Sequence, residues 1–348
     1  MIRYLICLTA IVSLSSCVHQ PIHQPSLTDQ YIQTDALLQA ISIVDETTVW
    51  VSGHQASFAK TTDGGQSWTL FQKGDEDSLQ FRDVHAFDSS RILLMSAGPG
   101  SLSRIYEVRN GVVWRERFTM TDSLGFLDCL DFWDDQRGIA YGDAIDAYPY
   151  ILLTENGGKT WFRADSTNMP KAGSGEGGFA SSGTCVTTGE GGKAWIATAV
   201  GGNSRIIMTD DYGMSWSVVE SPIIAGEHAG NTSVDFVDEQ RGFVTGGDLV
   251  IQDEYTDNCA FTNDGGQTWE LTNKPVTLGA FYGSSTVQLG DQNFTFVCGP
   301  NGLDFTSNEG QSWAQLDSAN LWAVDVHTSG VGWVVGAGGA IKQIVLKQ

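Results

Sequence analysis

Hydrophobic residues in this chain come in short runs of strand length. Val49-Trp50-Val51, Ile139-Ala140-Tyr141, Trp195-Ile196, Phe243-Val244, Phe296-Val297 and Trp333-Val334-Val335 are such runs, and most end close to a glycine. Brief apolar runs bounded by turn residues predict β-strands. Downstream of the first five runs the chain repeats one polar pattern: Thr61 to Trp68, Thr154 to Trp161, Thr209 to Trp216, Thr262 to Trp269 and Thr306 to Trp313. In each copy Asp or Asn stands two places after the Thr (Asp63, Asn156, Asp211, Asp264, Asn308). Gly stands four places after it, and Ser or Thr directly precedes the Trp. Strand-like segments flank each copy, as 56–60 and 67–71 flank the first, so each copy predicts a hairpin turn. An Asp or Asn side chain folds back onto nearby backbone N–H groups, Gly supplies a positive φ, and the Ser or Thr closes the loop from the far strand. The Trp then enters a packing layer, its N–H in need of a partner.

The interval from Trp68 to Trp161 is double length and is divided by Trp114, which ends the degenerate copy Tyr106 to Trp114. That makes six units with a Trp-terminated turn. A seventh, Leu321 to Lys347, ends before any such turn. Repeats of roughly 45 residues have the size of one four-stranded propeller blade. The pattern therefore predicts an all-β, seven-bladed β-propeller, with six or eight blades as alternatives. The seventh unit lacks its outer strand, and 31–38 is expected to supply it by pairing with 341–346, which removes both free sheet edges.

Composition narrows the function classes. The chain has 348 residues with 41 Gly and 8 Pro, and 41 acidic against 19 basic residues give a net charge of −22. Such a charge repels nucleic acid and anionic membrane surfaces, so no nucleic-acid partner is expected. At the N-terminus, Arg3, an apolar run from Tyr4 to Val12 and then Leu14-Ser15-Ser16-Cys17 have the layout of a short secretory signal. The run is too short for a spanning helix of about 20 residues. The expected organisation is a signal at 1–16, a tether at 17–30 and the propeller at 31–348.

Leu-Ser-Ser-Cys resembles a bacterial lipobox, which implies cleavage before Cys17 and its acylation. Val18 after the Cys implies outer-membrane attachment in the cell envelope. The five turns are similar to the Asp boxes of BNR-type repeats, found in sialidases, xyloglucan-cleaving enzymes, sortilin-like receptors and the photosystem II stability and assembly factor family. The short blades look most like that last family and its lipoprotein relatives in non-photosynthetic bacteria, and the resemblance covers nearly the whole mature chain. It implies a structural role for the turn residues. The photosynthetic members are expected to carry an arginine-rich client face, whereas this chain holds only 10 Arg after Arg3. The Arg-Ile-Pro tripeptide of sialidases is missing, and Ser103-Arg104-Ile105 and Ser204-Arg205-Ile206 come nearest to it.

A site is expected on the face that carries the blade-to-blade loops, opposite the repeated turns. Its candidate ligand-binding residues are Arg82, Asp143, Glu176, Arg205, Glu227, His228 and Asp248, whose carboxylates, Arg and His can hold a polar ligand or do acid/base work. The alternative is that they are solvated loop charges, and Glu176 and Arg82 are expected to be surface charges with little effect on stability. No metal or cofactor is expected: the histidines lack ligand spacing, 253–257 reads as a solvated acidic loop, and no helix follows Gly189-Glu190-Gly191-Gly192 to present its N-terminus to phosphate. The expected function is a monomeric, lipid-anchored scaffold for an envelope protein or glycan. The alternative is a sialidase-like glycoside hydrolase or lyase using Glu176 or Asp143 with Arg82 and Arg205. Cys129 and Cys185 occupy matching places in adjacent inner strands, which are expected to diverge beyond bridging distance, leaving four buried free thiols with Cys259 and Cys298.

Overall fold

A computed structural model describes residues 24–74, 76, 78–199 and 202–346; Cys17, the signal segment and the start of the tether lie outside the described residues. Seven antiparallel four-stranded sheets stand around a central channel. Blades 1 to 6 span 38–72, 81–119, 127–163, 186–221, 229–271 and 283–317 in chain order, and blade 7 spans 321–345. Only 3-10 turns break the strand pattern among the described residues, and none of their helices is long and apolar enough to cross a membrane.

Aromatic wedges between neighbouring blades form the core. Between blades 1 and 2, Trp50 and Phe58 are fully buried against Phe81 and Tyr106, with Trp114 stacked 5.9 Å from Phe81. Trp114 thus packs like the other repeat tryptophans although its turn, with Asn110 and Gly111 at positive φ, lacks the Asp network.

The repeated turns close as their residue types require. Thr61 Oγ1 donates to Asp63 Oδ1 and accepts from Gly65 N–H, both at 2.8 Å. Asp63 then takes Ser67 N–H at 2.9 Å and Ser67 Oγ–H at 2.6 Å. Asp211 and Asp264 repeat this on Ser215 and Thr268. Where Asn replaces Asp, one bond reverses direction: the amides of Asn156 and Asn308 donate to the hydroxyls of Thr160 and Ser312. Gly65 has φ +81°, a conformation that other residues adopt only under strain. The tryptophan N–H groups fare unequally. Those of Trp216 and Trp269 reach Gly213 O and Gly266 O at 3.1 Å, and that of Trp68 reaches Gln30 Oε1 at 3.0 Å. Those of Trp161 and Trp313 are buried without a partner.

Two expectations need correction. The strand that completes blade 7 is Ser26–Asp29, not 31–38, and it pairs Leu27 with Ile344 on the strand Ile341–Val345. The tether boundary at residue 30 therefore falls inside the fold. Buried Ile32, in the core cluster shared by blades 7 and 1, and buried Ala36 instead anchor a connecting segment, while Gln30 seals the seam by accepting from both Trp68 and Trp333. A short edge strand needs only one inward side chain, so Ser26-Leu27-Thr28-Asp29 carries almost no pattern.

Cys129 and Cys185 form a disulfide, with Cα atoms 5.8 Å apart; Cys259 and Cys298 are free and buried. Blades diverge outward from the channel, but their innermost strands are where they lie closest, so thiols there come within bridging range.

Candidate functional site

The channel holds a cavity of about 300 Å³. One residue from each inner strand lines it at the same level: Ser42, His85, Asp131, Thr187, Asp235, Ser285 and Asp325. Five of these side chains accept the backbone N–H of the next blade's inner strand. Ser42 takes Ala86 N–H, Asp131 takes Thr188 N–H, Asp235 takes Thr286 N–H, Ser285 takes Val326 N–H and Asp325 takes Ile43 N–H. Each staples two blades for about 1 kcal/mol. His85 is pushed down to about 3 by burial and by Arg91, so the imidazole is neutral and its 3.7 Å approach to Asp131 is not an ion pair.

Burial pushes the carboxyls of this ring upward, Asp131 and Asp325 to about 6 and Asp235 to about 7. The unfolded chain releases these protons near pH 3.9. The folded state keeps them to about pH 6–7, so stability is lost as pH rises from about 4 to 7. The melting temperature at pH 5 is expected to exceed that at pH 8, and Asp235→Asn, which keeps an acceptor oxygen, is expected to narrow the difference. An unchanged difference in that variant would show that the ring does not govern it.

The mouth of the channel is closed. The connection between blades 3 and 4, residues 164–185, is the longest in the ring, and its stretch 179–183 crosses the channel. Blade 2 holds it through Arg82 Nη1 on Ala180 O at 3.1 Å, and blade 1 through Gln39 Nε2 on Ser181 O at 3.4 Å. From the connection that enters blade 6, Tyr282 O accepts from the hydroxyls of Ser181 and Ser182 at 3.1 and 2.6 Å. Gly183 leaves this plug with φ +74°, where a Cβ would stand 2.6 Å from Asp83 Oδ1.

Four candidate residues meet around the plug. Glu176 is buried with its carboxylate fully engaged: it accepts from Arg205 at both oxygens, from Thr198 Oγ1 at 2.7 Å and from Gly173 N–H at 2.8 Å. Asp143 Oδ1 takes Gly178 N–H at 3.2 Å. Arg82 also grips Gln80 Oε1. Glu176 and Arg82 are thus parts of the loop's interior and not surface charges, because the Gly-rich segment folds inward over them. Removing one partner of a buried ion pair strands the other, so Glu176→Gln is expected to cost about 3 kcal/mol in a denaturant titration; a loss under 0.5 kcal/mol would return it to the surface class.

The other three candidates lie apart, on the rim at blade 5. Glu227 and His228 are exposed in the connection 222–228, and Asp248 caps a turn by accepting from Val250 and Ile251 N–H. Leu249 N–H on His228 O ties the two loops together. Beside them Val250, Ile251, Tyr255 and Val276 expose apolar surface among Asp253, Glu254 and Asp257.

Sequence reasoning missed Asp128, Tyr141 and Gln39. Inner strands of five blades carry a register irregularity near the mouth, which brackets Gln39, Arg82, Asp128, Thr232 and Trp322. A bulge redirects one side chain, and no local residue preference announces it. Asp128 and Asp143 are both raised by burial, and Asp128 further by the charge of Asp143. Among the described residues, no group of three or more His, Cys, Asp or Glu side chains is disposed to hold a metal ion.

No protein-family model matches the chain, and no curated protein does. Solved structures match its fold. YCF48 from Cyanidioschyzon merolae aligns with a TM-score of 0.65 at 13% identity, over 92% of this chain and 99% of its own. YCF48 bound to D1 peptide aligns at 0.62 and 15% identity, over 93% and 97%. A streptogramin B lyase aligns at 0.64 and 13% identity, over 93% and 98%. These likenesses are of fold, and they join a peptide-binding protein and an enzyme.

Proposed function

We propose that this protein is a scaffold outside the cytoplasm, tethered to a membrane by lipid on Cys17, that binds a protein partner on its mouth face. One observation carries the reading: the channel is plugged, and beside it an ordered rim exposes Val250, Ile251, Tyr255 and Val276 in an acidic surround. An apolar patch within a charged ring is surface that association desolvates. The likeness to YCF48 bound to D1 peptide supports a peptide or protein ligand. The Cys129–Cys185 bridge supports an oxidising compartment, as the Leu14-Ser15-Ser16-Cys17 segment does. On this reading the repeated turns are Asp boxes of the BNR type and serve the fold.

Turnover of a glycan, by glycosidase- or lyase-type chemistry, is the second reading, favoured by the likeness to the streptogramin B lyase. Against it, Glu176 has no lone pair to spare for proton transfer.

Placing a photoreactive residue at Val250 or at Gln66, on opposite faces, tests the first reading in cells producing the full chain. Partner adducts are expected from Val250 only, and Asp253→Lys with Glu254→Lys is expected to abolish them. Adducts from Gln66 alone would overturn the assignment of the face. For the anchor, Cys17→Ala is expected to leave the membrane fraction or to remain unprocessed. Membrane retention of a correctly processed variant would contradict it.

A further inference from the structure

The plug is gripped mainly through its backbone, with the hydroxyls of Ser181 and Ser182 adding bonds to Tyr282 O. Arg82 and Gln39 donate to the carbonyls of Ala180 and Ser181, Asp143 accepts from the N–H of Gly178, and Gly177 exchanges N–H and C=O bonds with Ala199 at 3.0 and 2.9 Å. From Gly177 to Gly183 the only side chain larger than serine is Phe179. The mouth therefore holds an irregular strand largely by its main chain, as β-augmentation sites hold a peptide.

Around the plug three buried side chains keep polar atoms without a partner: Gln39 at Oε1, Asp128 and Tyr141. Asp128 is 1% exposed and neither of its oxygens has a hydrogen bond; the amides of Gly178 and Ala180 face it outside bonding geometry. The hydroxyl of the fully buried Tyr141, close by, also has no partner. Arg82, the nearest cation, attracts Asp128 without bonding it, because three of its five N–H donors go to Gln80 and Ala180. Unfilled buried groups destabilise the fold, a waste in a seal that serves structure alone.

We propose that the mouth is a binding site for an extended peptide of small residues carrying one cation, and that residues 177–183 occupy it in cis. An incoming peptide takes over the bonds from Arg82, Gln39 and Asp143, and its ammonium or guanidinium pairs with Asp128 beside Tyr141. Gly175 and Gly183, at φ +75° and +74°, flank the plug as hinges, while Cys185, bridged to Cys129, holds its root on the channel wall. The cis occupant lowers apparent affinity by the fraction of molecules in which it is out. This inference rests on the reading of the mouth as the protein-binding face.

The test uses the full chain and a fluorescein-labelled peptide, Gly-Ala-Lys-Ala-Gly, with norleucine replacing lysine as control. Two variants loosen the plug without touching its receptor groups. Ser181→Ala with Ser182→Ala removes the hydroxyl bonds to Tyr282 O, and Gly183→Ala crowds Asp83. Faster amide hydrogen exchange across 177–183 is expected in both variants, with the lysine peptide bound about tenfold more tightly than by the parent. Asp128→Asn and the norleucine peptide are each expected to lose that gain. Unchanged exchange in both variants, faster exchange without tighter binding, or equal binding of the two peptides would each overturn the proposal. Partner adducts from Val250 without any peptide gain would overturn the cis occupancy alone. Absence of both would overturn the binding face itself.

Discussion

Replacing Cys129 and Cys185 together by alanine is expected to cost about 4 kcal/mol of stability. The bridge spans 56 residues, and constraining a loop of that length in the unfolded chain yields a figure of this size in the chain-entropy account. Both cysteines are buried in the cluster that joins blades 3 and 4, so the truncations add a small packing loss. Urea titrations of the oxidised parent, the parent unfolded in reductant and the double variant measure the effect. The last two should both fall well below the first, with the double variant slightly the lower. Equal midpoints for all three would show that the inner strands hold blades 3 and 4 together without the bridge. The same variant removes the root of the plug, so amide exchange should rise first across 177–185.

A second large loss is expected for Glu107→Gln. This side chain is 1% exposed and meets three guanidinium groups, those of Arg91, Arg109 and Arg117, which come from three strands of blade 2. Arg91 continues from it to Gly157 O in the turn of blade 3, so Glu107 also fixes a contact between blades. Neutralising it leaves three partly buried cations facing one another, for a cost of about 3–5 kcal/mol. Burial works to raise the Glu107 carboxyl, and Arg117 and Arg109 more than offset this, holding it at about 2. Its stabilisation is complete above the unfolded value near 4.3 and is lost as pH falls toward 2. The parent should therefore lose stability steeply between about pH 4.5 and 2, whereas Glu107→Gln should lose less over that range. Parallel acid titrations of the two proteins would refute the assignment.

Much of the fold could be read in the chain because its signal is repetitive. Asp63, Asn156, Asp211, Asp264 and Asn308 occupy equivalent turns, and each turn closes through contacts no more than four residues apart. Local chemistry of that kind is written in local sequence. Ser26–Asp29 was illegible for the converse reason: its partner is Ile341–Val345, at the far end of the chain, and one inward Leu27 suffices for an edge strand. The candidate site was legible as a face and not as a set of contacts. Arg82, Asp143, Glu176 and Arg205 do gather at the mouth, but as the clamps of a plug. Glu227, His228 and Asp248 stand apart on the rim.

By itself the sequence determined the propeller class, the repeat of its blades and the chemistry of their turns, since each follows from periodicity and from bonds between near neighbours. Only the tertiary structure decided that Cys129 meets Cys185, that Glu176 pairs with Arg205, and that 179–183 shuts the channel over an Asp128 without a hydrogen bond. Those outcomes depend on how closely seven inner strands converge on one axis, a distance fixed by the closure of the ring and encoded in no single segment.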